Sequence, residues 1–258
     1  MNKYSDYKRN HIILPGREKA LEDFLNSSFN GAKHKIKHSY SSHSEDALTW
    51  SCFDIISQLP ESKKINTLDE ILEHSFCGND MNQKMPFSFM NEKDIEIQVG
   101  KKYKGPHTKE ETELDASIST SKKLIFFEAK LYSSISLMDK KNNKPFDQIA
   151  KKIRVGLDYA SKERLEFFFI FLDIAPRKEL YKFTNEKKSK SNAMKSPPKK
   201  WKSVWWFNRY KNGWRNNLSP LEKIIDDIPT SQSVRSVSEN MGWLTWFDLF
   251  KITMKGMI

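Results

Sequence analysis

A chain of 258 residues, 38% hydrophobic and 12% aromatic, is long enough to bury a sizeable core, which excludes disorder throughout. Lys and Arg outnumber Asp and Glu by 44 to 33, a formal net charge of +11, so a polyanionic partner is expected, with nucleic acid ahead of an acidic membrane surface. Two cysteines, Cys52 and Cys77, are too few for a disulfide framework, no apolar run reaches membrane-spanning length, and residues 1–10 are polar and charged; a soluble cytoplasmic protein without a membrane partner is expected.

In chain order, Ala20, Leu21, Phe24 and Leu25 share one helical face, predicting a short amphipathic helix that closes near Gly31. Residues 33–43 are basic and polar; His34, His38 and His43 lie there, but no paired cysteines complete a zinc site. Ser44 suits the cap of a helix with Glu45 and Asp46 in its first turn, an apolar stripe of Leu48, Cys52, Ile55 and Leu59, and Pro60 after its end. Thr67 and Glu70 form a capping-box pattern that predicts another short helix from Thr67. From Asp94 the period becomes two, with Ile95, Ile97 and Val99 alternating with polar residues in a first strand. A polar connection containing Gly105 and Pro106 leads to a second strand over 112–119, and a short turn leads to a third over 123–132. Its run Leu124, Ile125, Phe126 and Phe127 predicts cover on both faces.

Pro145 suits the first turn of a helix carrying Phe146, Ile149, Ile153, Leu157 and Ala160 on one face, and the apolar run 166–174 predicts a buried strand parallel to the third. Residues 186–202, rich in Lys, Ser and Pro, predict an exposed loop. Then Trp201, Trp205, Trp206, Phe207, Tyr210 and Trp214 interleave with Lys202, Arg209, Lys211 and Arg215. A helix starts with Ser219, Pro220 and Glu222, and Trp243, Trp246, Phe247 and Phe250 follow near the end. Most of the tryptophans are assigned to a core, and the basic residues among them to contact with a phosphate backbone.

Side chains two apart on a strand share a face, so Glu113 and Asp115 are paired by position, as are Glu128 and Lys130. An acid and a lysine directly after four apolar residues are costly unless they emerge into a polar pocket with a partner or a metal. The plainer alternative is a salt bridge at a strand end. Phosphodiester hydrolysis needs a divalent cation held by carboxylates, for which Asp115 and Glu128 qualify. It also needs a cation that orients or deprotonates the attacking water, for which Lys130 qualifies, its pKa lowered by neighbouring cations and partial burial.

The pattern Glu113-Leu114-Asp115 followed by Ile125-Phe126-Phe127-Glu128-Ala129-Lys130 resembles the PD-(D/E)XK superfamily of nucleases over about residues 44 to 175. The resemblance implies an α/β, restriction-endonuclease-like α-β-β-β-α-β core with a mixed central sheet flanked by helices. Around it would lie an N-terminal helix and basic segment (1–43) and, over 176–258, a basic loop and an aromatic-rich helical extension packed on the core. It further implies an endonuclease that hydrolyses DNA with Mg²⁺, for which Mn²⁺ substitutes, leaves a 5′-phosphate and serves in restriction or phage defence. Glu45, Asp115 and Glu128 would hold the metal with the backbone carbonyl of Ala129, Lys130 would activate water, and Gln148 would lie near the substrate. The sequence departs from the family name at Leu114, where the pattern has proline; this leaves Glu113 as a rival or auxiliary ligand, and Asp46 competes with Glu45. DNA is the first partner expected, with a second copy of the chain and proteins of a defence system as further ones. A rival is a catalytically silent nucleic-acid-binding module of the same fold within a larger complex. A two-carboxylate glycosidase is disfavoured, because it gives Lys130 no role.

Overall fold

Two segments, Lys123–Ala129 and Glu166–Asp173, are apolar on both sides along most of their length, so each needs cover above and below. The computed structural model describes residues 5–27, 34–41, 44–77, 84–131, 133–137, 147–175, 202–211 and 217–258. In it these two segments are the centre of a mixed five-stranded sheet. The sheet order is β1 (Glu96–Val99), β4 (Ala116–Ser119), β5 (Lys123–Ala129), β6 (Glu166–Asp173) and β7 (Met241–Thr245). The first three are antiparallel neighbours, and β6 and β7 run parallel to β5. A separate hairpin pairs β2 (Lys102–Lys104) with β3 (Glu111–Glu113).

Alternation along β5 and β6 divides the core. On one side Leu124, Phe126, Phe167, Phe169 and Phe171 pack on α5 (Gln148–Glu163), α6 (Lys202–Lys211), α7 (Ser219–Ile225) and α8 (Val234–Glu239). On the other, Ile125, Phe127, Phe168 and Ile170 meet α3 (Glu45–Gln58), α4 (Glu61–Phe76) and α9 (Trp246–Met257). Each buried phenylalanine contributes roughly 2–3 kcal/mol. That concentrates stability in the helix–sheet–helix sandwich, while α1 (Glu18–Asn26) and α2 (His34–Ser39) add a small cluster of Leu21, Phe24 and Leu25 on Trp50.

The expectation of a mixed sheet flanked by helices holds, and several local expectations are corrected. Ser44 does cap α3, its hydroxyl accepting from the Ala47 amide. Thr67, however, does not start a helix: α4 begins six residues earlier, and the Thr67 hydroxyl donates to the Lys63 carbonyl inside it. The strand expected over 112–119 is broken. Gly100, at φ +69°, kinks the ribbon, so the β2–β3 hairpin leaves the sheet opposite Leu114 and Asp115. Helix α5 is capped by Asp147, whose carboxylate accepts from the Ala150 amide, while Pro145 and Phe146 lie outside the described residues. The C-terminal region is not helical throughout, since β7 adds a fifth strand on the far side of β6.

Gly31, His43, residues 186–201, Trp214 and Arg215 lie outside the described residues, as do the side chains of His34, His38 and Lys202. Trp50, Trp205, Trp243 and Trp246 are buried and Trp206 is half-buried, in keeping with a core role. Among the described residues, no helix is long and apolar enough to cross a membrane.

Candidate active site

The kink that ends β4 gives Asp115 its position. Pairing of β4 with β5 stops at Ala116 opposite Phe127, and beyond it the Asp115 carboxylate accepts the next inward amide, that of Ala129, at 2.7 Å. By alternation Glu128 and Lys130 share the face of Leu124 and Phe126, beneath α5. Glu128 has no exposed surface and Lys130 only 6%. The Lys130 backbone is pinned on both sides, with its amide donating to the Leu172 carbonyl at 2.7 Å and its carbonyl accepting from the Trp246 indole at 3.0 Å. The β6 strand and α9 thus hold a residue of the β5 motif in place.

The Lys130 ammonium lies 2.9 Å from Glu128 Oε1 and 3.5 Å from Glu45 Oε1. A second ammonium, which sequence reasoning missed, descends from α5: Lys152 touches Glu128 Oε2 and lies 3.7 Å from Asp115 Oδ2. Lys152 is 4% exposed and sits beside Ile149 and Ile153 on the buried side of α5. Its signal in the sequence is faint. A lysine four residues after Gln148 lies on that residue's helical face, but the adjacent Lys151 is chemically identical.

The other expected residues are placed unevenly. Glu45 reaches the rim, where its carboxylate accepts from the Leu131 amide at 2.9 Å and the Ser133 hydroxyl at 2.8 Å and also meets Lys130. Gln148, at the start of α5, accepts from the Ser136 amide at 3.4 Å, one turn from Lys152. Glu113 is drawn off by Lys35 of α2, at 2.7 Å. The Ala129 amide serves Asp115, and the residue is fully buried.

Burial and the neighbouring Asp115 push the Glu128 carboxyl up to about 7, against the pull of Lys130 and Lys152. Burial also acts to raise Asp115, but Lys152 and Lys130 outweigh it and hold that carboxyl below its usual range. Burial would lower both lysines. Glu128, Asp115 and Glu45 reverse this at Lys130, and Asp115 and Glu128 do so at Lys152, so both are raised. The expectation of a lowered Lys130 is therefore corrected, because the carboxylates around it outweigh the effect of burial.

Among the described residues, no three His, Cys, Asp or Glu side chains converge as a metal cage. Asp115 and Glu128 nevertheless suit a divalent cation. Both Glu128 oxygens are buried and accept no well-directed hydrogen bond, and a cationic group, the Lys152 ammonium, already pairs with both this carboxylate and Asp115.

A further carboxyl lies next to the motif. Asp173 ends β6, is 2% exposed, and accepts from the Ile174 amide and the Ser203 hydroxyl. Burial pushes it up to about 6, with Glu45 adding to the rise and the hydrogen bonds opposing it. A carboxyl raised in the folded state favours folding below its unfolded pKa, and that contribution is lost as pH rises through about 6. Asp173→Asn should therefore stabilise the protein by about 2 kcal/mol at pH 8 and by almost nothing at pH 4, in urea unfolding at the two values. An equal effect at both would show that the carboxyl is not raised.

Fold and cluster together define an α/β protein whose mixed sheet buries Glu128 with two lysines under one helix, beside a half-buried Asp115 and with Glu45 at the rim. No protein-family profile, curated protein or solved structure matches this chain.

Proposed function

We propose that the protein is a Mg²⁺-dependent endonuclease that hydrolyses DNA phosphodiester bonds, on a core of the restriction-endonuclease-like, PD-(D/E)XK kind. One observation carries the reading: Glu128, Lys130 and Lys152 are buried together, and the half-buried Asp115 adjoins them. Enclosing so many charges is costly, and well-packed apolar residues would commonly be as stable or more so, so their presence favours a chemical task over a structural one. The helix, three antiparallel strands, helix and parallel strand formed by α3, β1, β4, β5, α5 and β6 support the assignment, as does the net charge of +11 for a polyanionic substrate.

Asp115 and Glu128, with Glu45 and the Ala129 carbonyl, would hold Mg²⁺ or Mn²⁺, which supplies a Lewis acid and lowers the pKa of bound water. Lys130 is kept protonated by its carboxylates, which suits it to orienting water and stabilising phosphoryl charge more than to abstracting a proton. Gln148, one turn before Lys152 on α5, would contact substrate in this reading.

Purified protein with Mg²⁺ should cut DNA, and EDTA should stop it. Asp115→Ala and Lys130→Ala should abolish cutting in protein that keeps the parent circular dichroism; unchanged cleavage in both sinks the assignment. The rival reading, a silent nucleic-acid-binding module, draws on the same Lys152, which already pairs with both carboxylates. It requires salt-dependent DNA affinity without a metal requirement and without product.

A further inference from the structure

Lys152 is the unexplained member of the cluster. It has 4% exposure and comes from a different element than the Glu128–Lys130 motif, yet its ammonium touches Glu128 Oε2 and lies 3.7 Å from Asp115 Oδ2. Lys130 already neutralises the opposite Glu128 oxygen, Oε1, at 2.9 Å. The two lysines therefore divide the carboxylate between them, and Lys152 takes the side that faces Asp115. That is the position from which a divalent ion would bridge the two carboxylates. An ammonium and a metal cannot occupy it together, because each needs the same oxygen lone pairs and two cations at such separation repel strongly in a buried site.

We propose that Lys152 is a built-in counter-ion that holds the Asp115–Glu128 seat together without metal, and that a divalent cation binds there only by displacing it. This rests on the metal-binding part of the proposed function. Counted as ionised, Glu45, Asp115 and Glu128 against Lys130 and Lys152 leave one net negative charge, which repels a phosphodiester. A divalent ion converts this to one net positive charge and frees an ammonium that stays tethered by α5 at the site. Metal entry thereby prepares the site for an anionic substrate, with Lys152 as a positioning residue for the metal.

The consequence is opposite in sign to that of a purely structural lysine. If the ammonium fills the seat in about nine-tenths of metal-free molecules, removing it raises apparent metal affinity about tenfold. Titration calorimetry with Mn²⁺ alone on the full chain should show this increase in Lys152→Met relative to parent. Equal, weaker or absent binding in the variant overturns the proposal. Should Lys152→Met fail to fold, the parent protein decides by ¹⁵N lysine-ammonium resonances. The Lys152 signal should move or exchange away when Mg²⁺ is added, and a signal unchanged at saturating Mg²⁺ overturns the proposal. DNA cleavage is a separate reading: tighter Mn²⁺ binding in Lys152→Met with no cleavage by the parent upholds the displacement and removes the nuclease function. Cleavage by the parent with unaltered Mn²⁺ affinity in Lys152→Met does the reverse.

Discussion

Glu128→Gln is expected to give a folded protein whose Mg²⁺-dependent DNA cleavage is lower by on the order of 10³-fold. The substitution keeps the shape of the side chain and deletes the charge that a metal would need. Its cost in stability is limited because the amide matches the carboxylate in volume and its oxygen can still accept from Lys130 or Lys152. Lys130→Ala is a less clean test, since it strips a buried carboxylate of one of its two ammonium partners and is expected to cost about 3–5 kcal/mol. Single-turnover cleavage of plasmid DNA and urea unfolding, both at pH 7.5 or so on the same Glu128→Gln preparation, separate the two effects. A loss below about tenfold with the fold intact would remove Glu128 from the chemistry.

Gly156→Ala is expected to destabilise the protein by about 2 kcal/mol or more, lowering the melting temperature by about 5 °C. Two effects of opposite sign compete. Helix propensity alone favours alanine over glycine inside α5 by about 1 kcal/mol. Packing opposes it, because a Cβ at residue 156 would lie 2.7 Å from Phe126 Cε2 and closer still to the Phe167 ring. Both rings are fully buried and edge-to-face with centroids 5.3 Å apart, so neither can retreat without opening the core. Packing should win. Because α5 also carries Lys152, a helix pushed off the sheet would shift the ammonium from its carboxylates, and cleavage should fall along with stability. A stabilised variant in differential scanning calorimetry would mean that α5 has room that the geometry denies it.

How much of this was legible beforehand depends on the range of the interaction involved. The strand leading to Glu128 and Lys130 was legible because four consecutive apolar residues before two charges leave few alternatives; β5 runs through those four and Glu128 but ends at Ala129, short of the expected residue 132 and one residue before Lys130. The parallel partner β6 followed from a helix of crossover length between two apolar runs. The start of α3 followed from Ser44, a cap that acts within three residues. By contrast, the capping-box pattern at Thr67 misled, since α4 is extended upstream by packing on β7 and α9, which come some 170 residues later. The fifth strand escaped notice because Met241–Thr245 contains a glycine and is short, and its pairing is decided by the open side of β6.

The sequence by itself determined the local terms: which segments alternate, which residues cap, and that Asp115, Glu128 and Lys130 are charged groups at the margin of an apolar strand. Those properties depend on neighbours a few residues away. The tertiary structure alone decided which charges meet. It sent Glu113 to Lys35, tied Glu45 to Leu131 at the rim, and lowered Lys152 from α5 between Asp115 and Glu128. It also turned the expected pKa of Lys130 upward, because electrostatic energy is set by distances in space and by burial, and a linear order of residues specifies neither.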